Sequence, residues 1–155
     1  MQKKSKKQLT RTAFTMIEMV FVIVILGILA AIAIPRLAAT RTDAEISKAI
    51  ADISSIRSGI VTERQSRVIT GNSTWITKAN MDTGSGDFFG GVLRYGISAS
   101  TGNDGWSGTA GSGTYTLKIG GSSNTFKYYD STYATVADRG KFLCTTGNEC
   151  DELTK

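Results

Sequence analysis

Few side chains in this 155-residue chain are spaced for chemistry, and they reduce to one carboxylate and one pair of thiols. Between Phe14 and Ile34 the only polar side chains are Thr15 and Glu18. An ionised carboxylate held in lipid costs on the order of 2.5–3.5 kcal/mol even on lenient insertion scales, so an acid at that position asks for a function. Cys144 and Cys150 enclose five residues near the C-terminus. Behind an export-type N-terminus the pair reads as a small disulfide loop formed in an oxidising compartment. Two sulfurs with no further Cys or His would leave half of a zinc shell empty, so no metal is expected there.

Other chemistry is thinly supplied. The chain has no His, which excludes Ser-His, Cys-His and His-metal arrangements. No nucleophile has a visible base partner and no glycine-rich loop has phosphate-binding spacing, so no catalytic residue and no enzyme activity are expected. Asn103-Asp104-Gly105 and Asp130 suggest calcium at first sight, but their spacing matches no EF-hand loop and fits turn chemistry better. No cofactor is expected. Trp75, Trp106 and the tyrosines from Tyr115 to Tyr133 are expected in the core of so small a domain rather than on a ligand surface.

The net charge of +5 invites a nucleic-acid reading that its distribution removes. Lys3, Lys4, Lys6, Lys7 and Arg11 all precede Phe14; taking those five from 18 basic residues leaves 13 against 13 acids. The basic excess is therefore a topogenic signal that holds this end in the cytoplasm next to an apolar span.

Four stretches must position these groups. Residues 1–13 are basic and polar. Residues 14–35 begin with 21 residues ending at Ile34, about 30 Å as a helix and long enough to cross a bilayer core. Residues 36–71 predict an amphipathic helix, with Leu37, Ile46, Ile50, Ile53, Ile56 and Ile60 at mostly three- and four-residue intervals and a stop at Gly71-Asn72. Residues 72–155 predict a Gly-rich, β-containing domain. Its strand candidates are Gly91–Ser98, Tyr115–Ile119, Thr125–Tyr129 and the shorter Lys141–Cys144, with a hairpin loop over Gly120–Asn124 and a surface loop over Thr101–Gly113. The expected class is α+β, a long helix packed on a small antiparallel sheet that cannot bury enough apolar area alone.

The segment Ala13-Phe14-Thr15-Met16-Ile17-Glu18, after a short basic leader and before an apolar run ending at Pro35, resembles the class III signal of type IV pilins and type II secretion pseudopilins. The resemblance covers roughly residues 1–60. It implies cutting between Ala13 and Phe14 by a membrane prepilin peptidase, with Ala13 standing where the family usually has Gly, and N-methylation of Phe14. The helix would stay in the mature subunit, and Glu18 would neutralise the new amine of Phe14 on the same or an adjacent subunit. Gly27 and Pro35 would permit the helix to kink or unwind in the filament.

By the same resemblance the chain is a structural filament subunit, first a single-pass protein of the inner membrane with its C-terminal domain outside the cytoplasm, then part of a periplasmic or extracellular filament. Its implied partners are copies of itself, minor pilins, the peptidase, an inner-membrane assembly platform with a separate ATPase, and lipid before assembly. Three rivals stand beside this. A secretory signal would be cut after its apolar core, for instance at Ala31-Ile32-Ala33, but that core is usually shorter and lacks an acid. A membrane-anchored binding module would keep the helix and never polymerise. A competence pilin would capture DNA, for which the neutral chain after Phe14 offers no electrostatic support, so no direct nucleic-acid contact is expected.

Overall fold

The structure, a computed structural model, describes residues 14–84 and 87–154. The leader and the Ala13 side of the expected cleavage position lie outside the described residues. The chain divides into two compact units, one ending at Ala39 and one beginning at Thr40, and helix α1 (Met16–Ile69) contributes to both.

The first unit holds the apolar half of α1. Met16–Ile34 has a mean hydropathy of 3.0 and none of it is buried, so this segment is long and apolar enough to cross a membrane. Helix α1 continues through Gly27 and Pro35.

In the second unit α1 buries one stripe. Ala49, Ile53, Ile56 and Ile60 are each no more than 3% exposed, and Ile46 packs against them. Ile50, expected on this stripe, is 39% exposed, because steps of three and four from Ile46 pass through Ala49 instead. The side chain of Leu37 lies outside those described. The helix ends as its Gly-Asn pair predicts. Gly71 takes φ +85°, its N–H donates to the Val68 carbonyl at 3.0 Å, and the Asn72 N–H donates to the Arg67 carbonyl at 2.9 Å, the two bonds of a Schellman motif.

A short helix α2 (Lys78–Met81) follows, capped by the Thr77 side chain, which accepts from the Asn80 N–H. Four strands then form an antiparallel sheet in chain order: β1 (Gly105–Gly108), β2 (Thr114–Ile119), β3 (Ser122–Tyr128) and β4 (Phe142–Thr146). A one-turn helix α3 (Cys150–Leu153) ends the domain and buries Leu153. The fold is thus α+β, a long helix with a four-stranded antiparallel sheet.

Three strand expectations change. Gly91–Ser98 is not a strand but a run of turns with one bridge, Phe88 to Ile97. Its backbone is already committed, since the N–H groups of Val92 and Leu93 donate to the Phe89 carbonyl and that of Gly91 to the Met81 carbonyl. The predicted loop over Thr101–Gly113 contains β1, where Trp106 lies opposite Leu117 and is 2% exposed. The predicted five-residue hairpin loop shortens to Gly120-Gly121, both at positive φ (+55° and +87°), so β3 starts at Ser122. Two consecutive positive-φ residues match the twist of the flanking strands.

The core joins the α1 isoleucines to an aromatic cluster. Phe89 meets Tyr115 (ring centroids 4.4 Å apart), Trp106 (5.3 Å) and Phe142 (5.6 Å), and Phe126 stacks on Phe142 at 5.3 Å. Trp106, Tyr115 and Tyr128 are core residues, as expected of aromatics in a small domain, whereas Tyr129 and Tyr133, expected there too, are only half-buried and lie outside the core.

Candidate functional site

Among the described residues, the first turn of α1 is where an ionisable group and the long apolar segment coincide. Thr15 precedes the helix and its hydroxyl accepts from the Glu18 N–H at 3.3 Å, while its carbonyl accepts from the Met19 N–H at 3.2 Å. The order Thr15-Met16-Ile17-Glu18 is a capping-box pattern, with the acid at the helix's positive end. Local helix physics therefore gives Glu18 a role independent of any partner. What it does not explain is the surroundings. Phe14, Met16 and Ile17 are 69%, 89% and 76% exposed, and large apolar side chains stay exposed through Ile34. An apolar surface of this extent marks contact with lipid or with other proteins. A carboxylate at its rim can meet one cation. Gly27 lies on this segment with open space where a Cβ would stand.

The predicted disulfide is formed: Cys144 and Cys150 are bonded with Cα atoms 5.5 Å apart. It joins the inner side of β4 to the start of α3. Inside the loop it closes, Glu149 binds Asn124 of β3, a fully buried residue.

The two aspartates considered for calcium accept hydrogen bonds from protein donors. Asp104 accepts from the Gly120 N–H at 2.6 Å and from the Arg41 guanidinium at 2.9 Å. The Gly120 N–H is the largest influence holding its carboxyl below the ordinary range. Asp130 accepts from the Thr132 hydroxyl and N–H and from the Lys78 N–H. Burial acts to raise its pKa, and those hydrogen bonds outweigh it, so the net direction is down. Among the described residues no group of three or more His, Cys, Asp or Glu is placed to hold a metal.

A cavity of about 380 Å³ lies between α1 and the β1–β2 hairpin. Of its three carboxylates, Asp52 accepts from the Trp106 indole at 3.3 Å, Glu45 accepts from the Arg41 guanidinium at 2.8 Å and Asp104 is held as above, so all three already serve the fold. Trp75 sits outside this region, partly buried under the Arg64 guanidinium at 4.3 Å.

Three residues that organise the domain were not foreseen. Asp82 accepts from the Phe89 N–H, the Gly111 N–H and the Tyr115 hydroxyl, tying three segments together. Asn124 and Glu149 join β3 to the disulfide loop. Their partners lie between seven and 33 residues away in sequence, and no spacing rule announces them. Comparison with protein-family models, with curated proteins and with solved structures matches none of them to this chain.

Proposed function

We propose that this chain is a filament subunit of the type IV pilin/pseudopilin kind, anchored in the inner membrane by the N-terminal half of α1 before assembly and polymerised through the same half afterwards. The observation that carries the reading is the wholly exposed Met16–Ile34 segment with one charge, Glu18, in its first turn beside Phe14. Cleavage before Phe14 would create an ammonium at the end of an apolar helix. Once helices bundle, that cation must be paired or it is heavily penalised, and Glu18 is the acid within one turn of it. The pair would fix axial register between subunits more than it would add stability.

In this reading the sheet domain forms the filament's skin, and Gly27 and Pro35 let the helix unwind on assembly. A prepilin peptidase, minor pilins and a membrane platform with its own ATPase are the proposed partners, and the domain from Thr40 onward lies outside the cytoplasm, where Cys144 and Cys150 can pair. Mass spectrometry of the chain extracted from membranes tests it. The expected N-terminus is Phe14 carrying one methyl group. A chain beginning at Met1 would instead mark a simple anchor, and one beginning near Ile34 a secreted monomer.

A further inference from the structure

The solvent side of the sheet carries a charge pattern of its own. Along β2 and β3 every second residue is buried, so the positions between them face outward. Pairing then aligns a hydroxyl row across the strands: Ser107 opposite Thr116, Thr116 opposite Thr125, and Thr145 at the β3–β4 bulge, where its hydroxyl donates to the Thr125 carbonyl at 3.1 Å. Lys118 and Lys127 flank that row on either side, and no Asp or Glu occupies any outward position of the four strands. The chain from Phe14 on has equal numbers of acids and bases, so this face departs from the average of the whole.

The lysines are spaced as well as segregated. Lys127 pairs with Thr114, four residues along β2 from Lys118, which with the step between strands places the two about 14–15 Å apart on the sheet. The Lys127 ammonium stands over the rings of Tyr129 (5.4 Å) and Tyr133 (5.8 Å), themselves an edge-on pair with centroids 4.4 Å apart. Among the described residues no acid pairs with Lys118 or Lys127.

From this juxtaposition of a hydroxyl row, two flanking unpaired ammonium groups and an adjacent tyrosine pair, we infer that the outer face of the sheet binds an acidic polysaccharide. Hydroxyls exchange hydrogen bonds with sugar hydroxyls, and aromatic rings offer apolar faces to the sugar's C–H surface. Two cations this far apart suit a polymer with one carboxylate per sugar or per few sugars. Duplex DNA, with a charge every ~1.7 Å of axis, calls for a denser array of Lys and Arg. The inference concerns the sheet domain only and does not depend on polymerisation.

Lysine acetylation footprinting of the full chain in phosphatidylcholine nanodiscs tests it, because each lysine is read separately and binding by the basic leader is not confused with binding here. Polygalacturonate at low ionic strength is expected to protect Lys118 and Lys127 severalfold, and neutral dextran to protect neither. Lys127→Gln should raise the polygalacturonate concentration needed to protect Lys118 by about tenfold, the loss of one charge-assisted contact. Thr116→Val with Thr125→Val, which keeps the strands' β-branched shape, should weaken protection with folding intact by circular dichroism. Unprotected Lys118 and Lys127, equal protection by oligothymidylate, or undiminished protection in the double valine variant would each overturn the inference.

Discussion

Asn124 and Glu149 hold each other reciprocally: the Asn124 side-chain amide donates to the Glu149 carboxylate at 2.7 Å, and the Glu149 N–H donates back to the Asn124 side-chain oxygen at 3.1 Å. Asn124 is fully buried. The disulfide closes the loop that carries Glu149, so the covalent bond and the hydrogen bonds fasten the same C-terminal segment to β3.

Asn124→Ala leaves the Glu149 N–H without its acceptor, and the expected loss is about 1–3 kcal/mol in urea unfolding. Opening the short disulfide loop by Cys144→Ser with Cys150→Ser costs about 2 kcal/mol on the chain-entropy account. The two losses should not add, because without the bond the loop no longer presents Glu149 to Asn124. A double-mutant cycle giving simple additivity would show that disulfide and amide act separately.

Gly59 in α1 should resist the usual stabilising substitution. In an exposed helix interior Gly→Ala gains up to about 1 kcal/mol. Here a Cβ would collide with the Val92 carbonyl oxygen, against backbone that cannot swing aside. Gly59→Ala is therefore expected to destabilise by about 1–3 kcal/mol, the range for overpacking, with a lowered unfolding midpoint as the readout. Gly27→Ala, whose Cβ would meet nothing in the subunit, should not lower that midpoint.

Two tyrosines should make the domain sensitive to alkali. Burial, and then the neighbouring Asp82, raise the Tyr115 pKa well above the ordinary 10.0; burial, and then Asp130, do the same to Tyr128. The native state retains both protons while the unfolded chain releases them. The associated stability is complete below pH 10 and declines as pH rises above it toward the folded values. Absorbance at 295 nm should show these two rings ionising only together with unfolding, and Tyr115→Phe should remove part of the stability loss above pH 10. Ionisation of all five tyrosines before any loss of near-UV circular dichroism would contradict this.

The apolar segment, the helix stop and the cysteine pair were legible because each rests on local chemistry. Gly71-Asn72 marks a helix end wherever the chain meets it, and a long apolar run announces its solvent. The sheet was only half legible. Tyr115, Leu117 and Ile119 alternate with polar residues and declare β2, but Gly105-Trp106-Ser107-Gly108 has no strand propensity beyond its tryptophan and becomes a strand by pairing with β2. Residues 91–98 have the composition of a strand and lose that conformation to carbonyls of Met81 and Phe89. Ile50 is displaced from the buried stripe by Ala49, since helical phase outranks residue size. Glu18 could be singled out from sequence, but its bond to Thr15 emerges only with the helix start.

That bond uses the Glu18 backbone N–H and survives a substitution at Glu18, so what a change there alters is the side chain and its charge at the helix's positive end. Glu18→Ala removes both the charge and the long polar side chain at N3 of the capping-box sequence, so failed assembly in that variant has two explanations. Glu18→Gln keeps a side chain suited to a capping box and removes only the charge. If Glu18 neutralises the Phe14 ammonium, the Gln variant should be processed normally, insert in the membrane and fail to form filaments, as scored by sheared-filament yield against membrane-bound subunit. An accompanying block of the Phe14 amine by acetylation in vitro should restore reassembly of the Gln variant toward wild type, because the cation needing a partner is then gone. Filaments from Glu18→Gln at wild-type yield would show that the charge of Glu18 is not needed for assembly, and the proposed register device would fall with it.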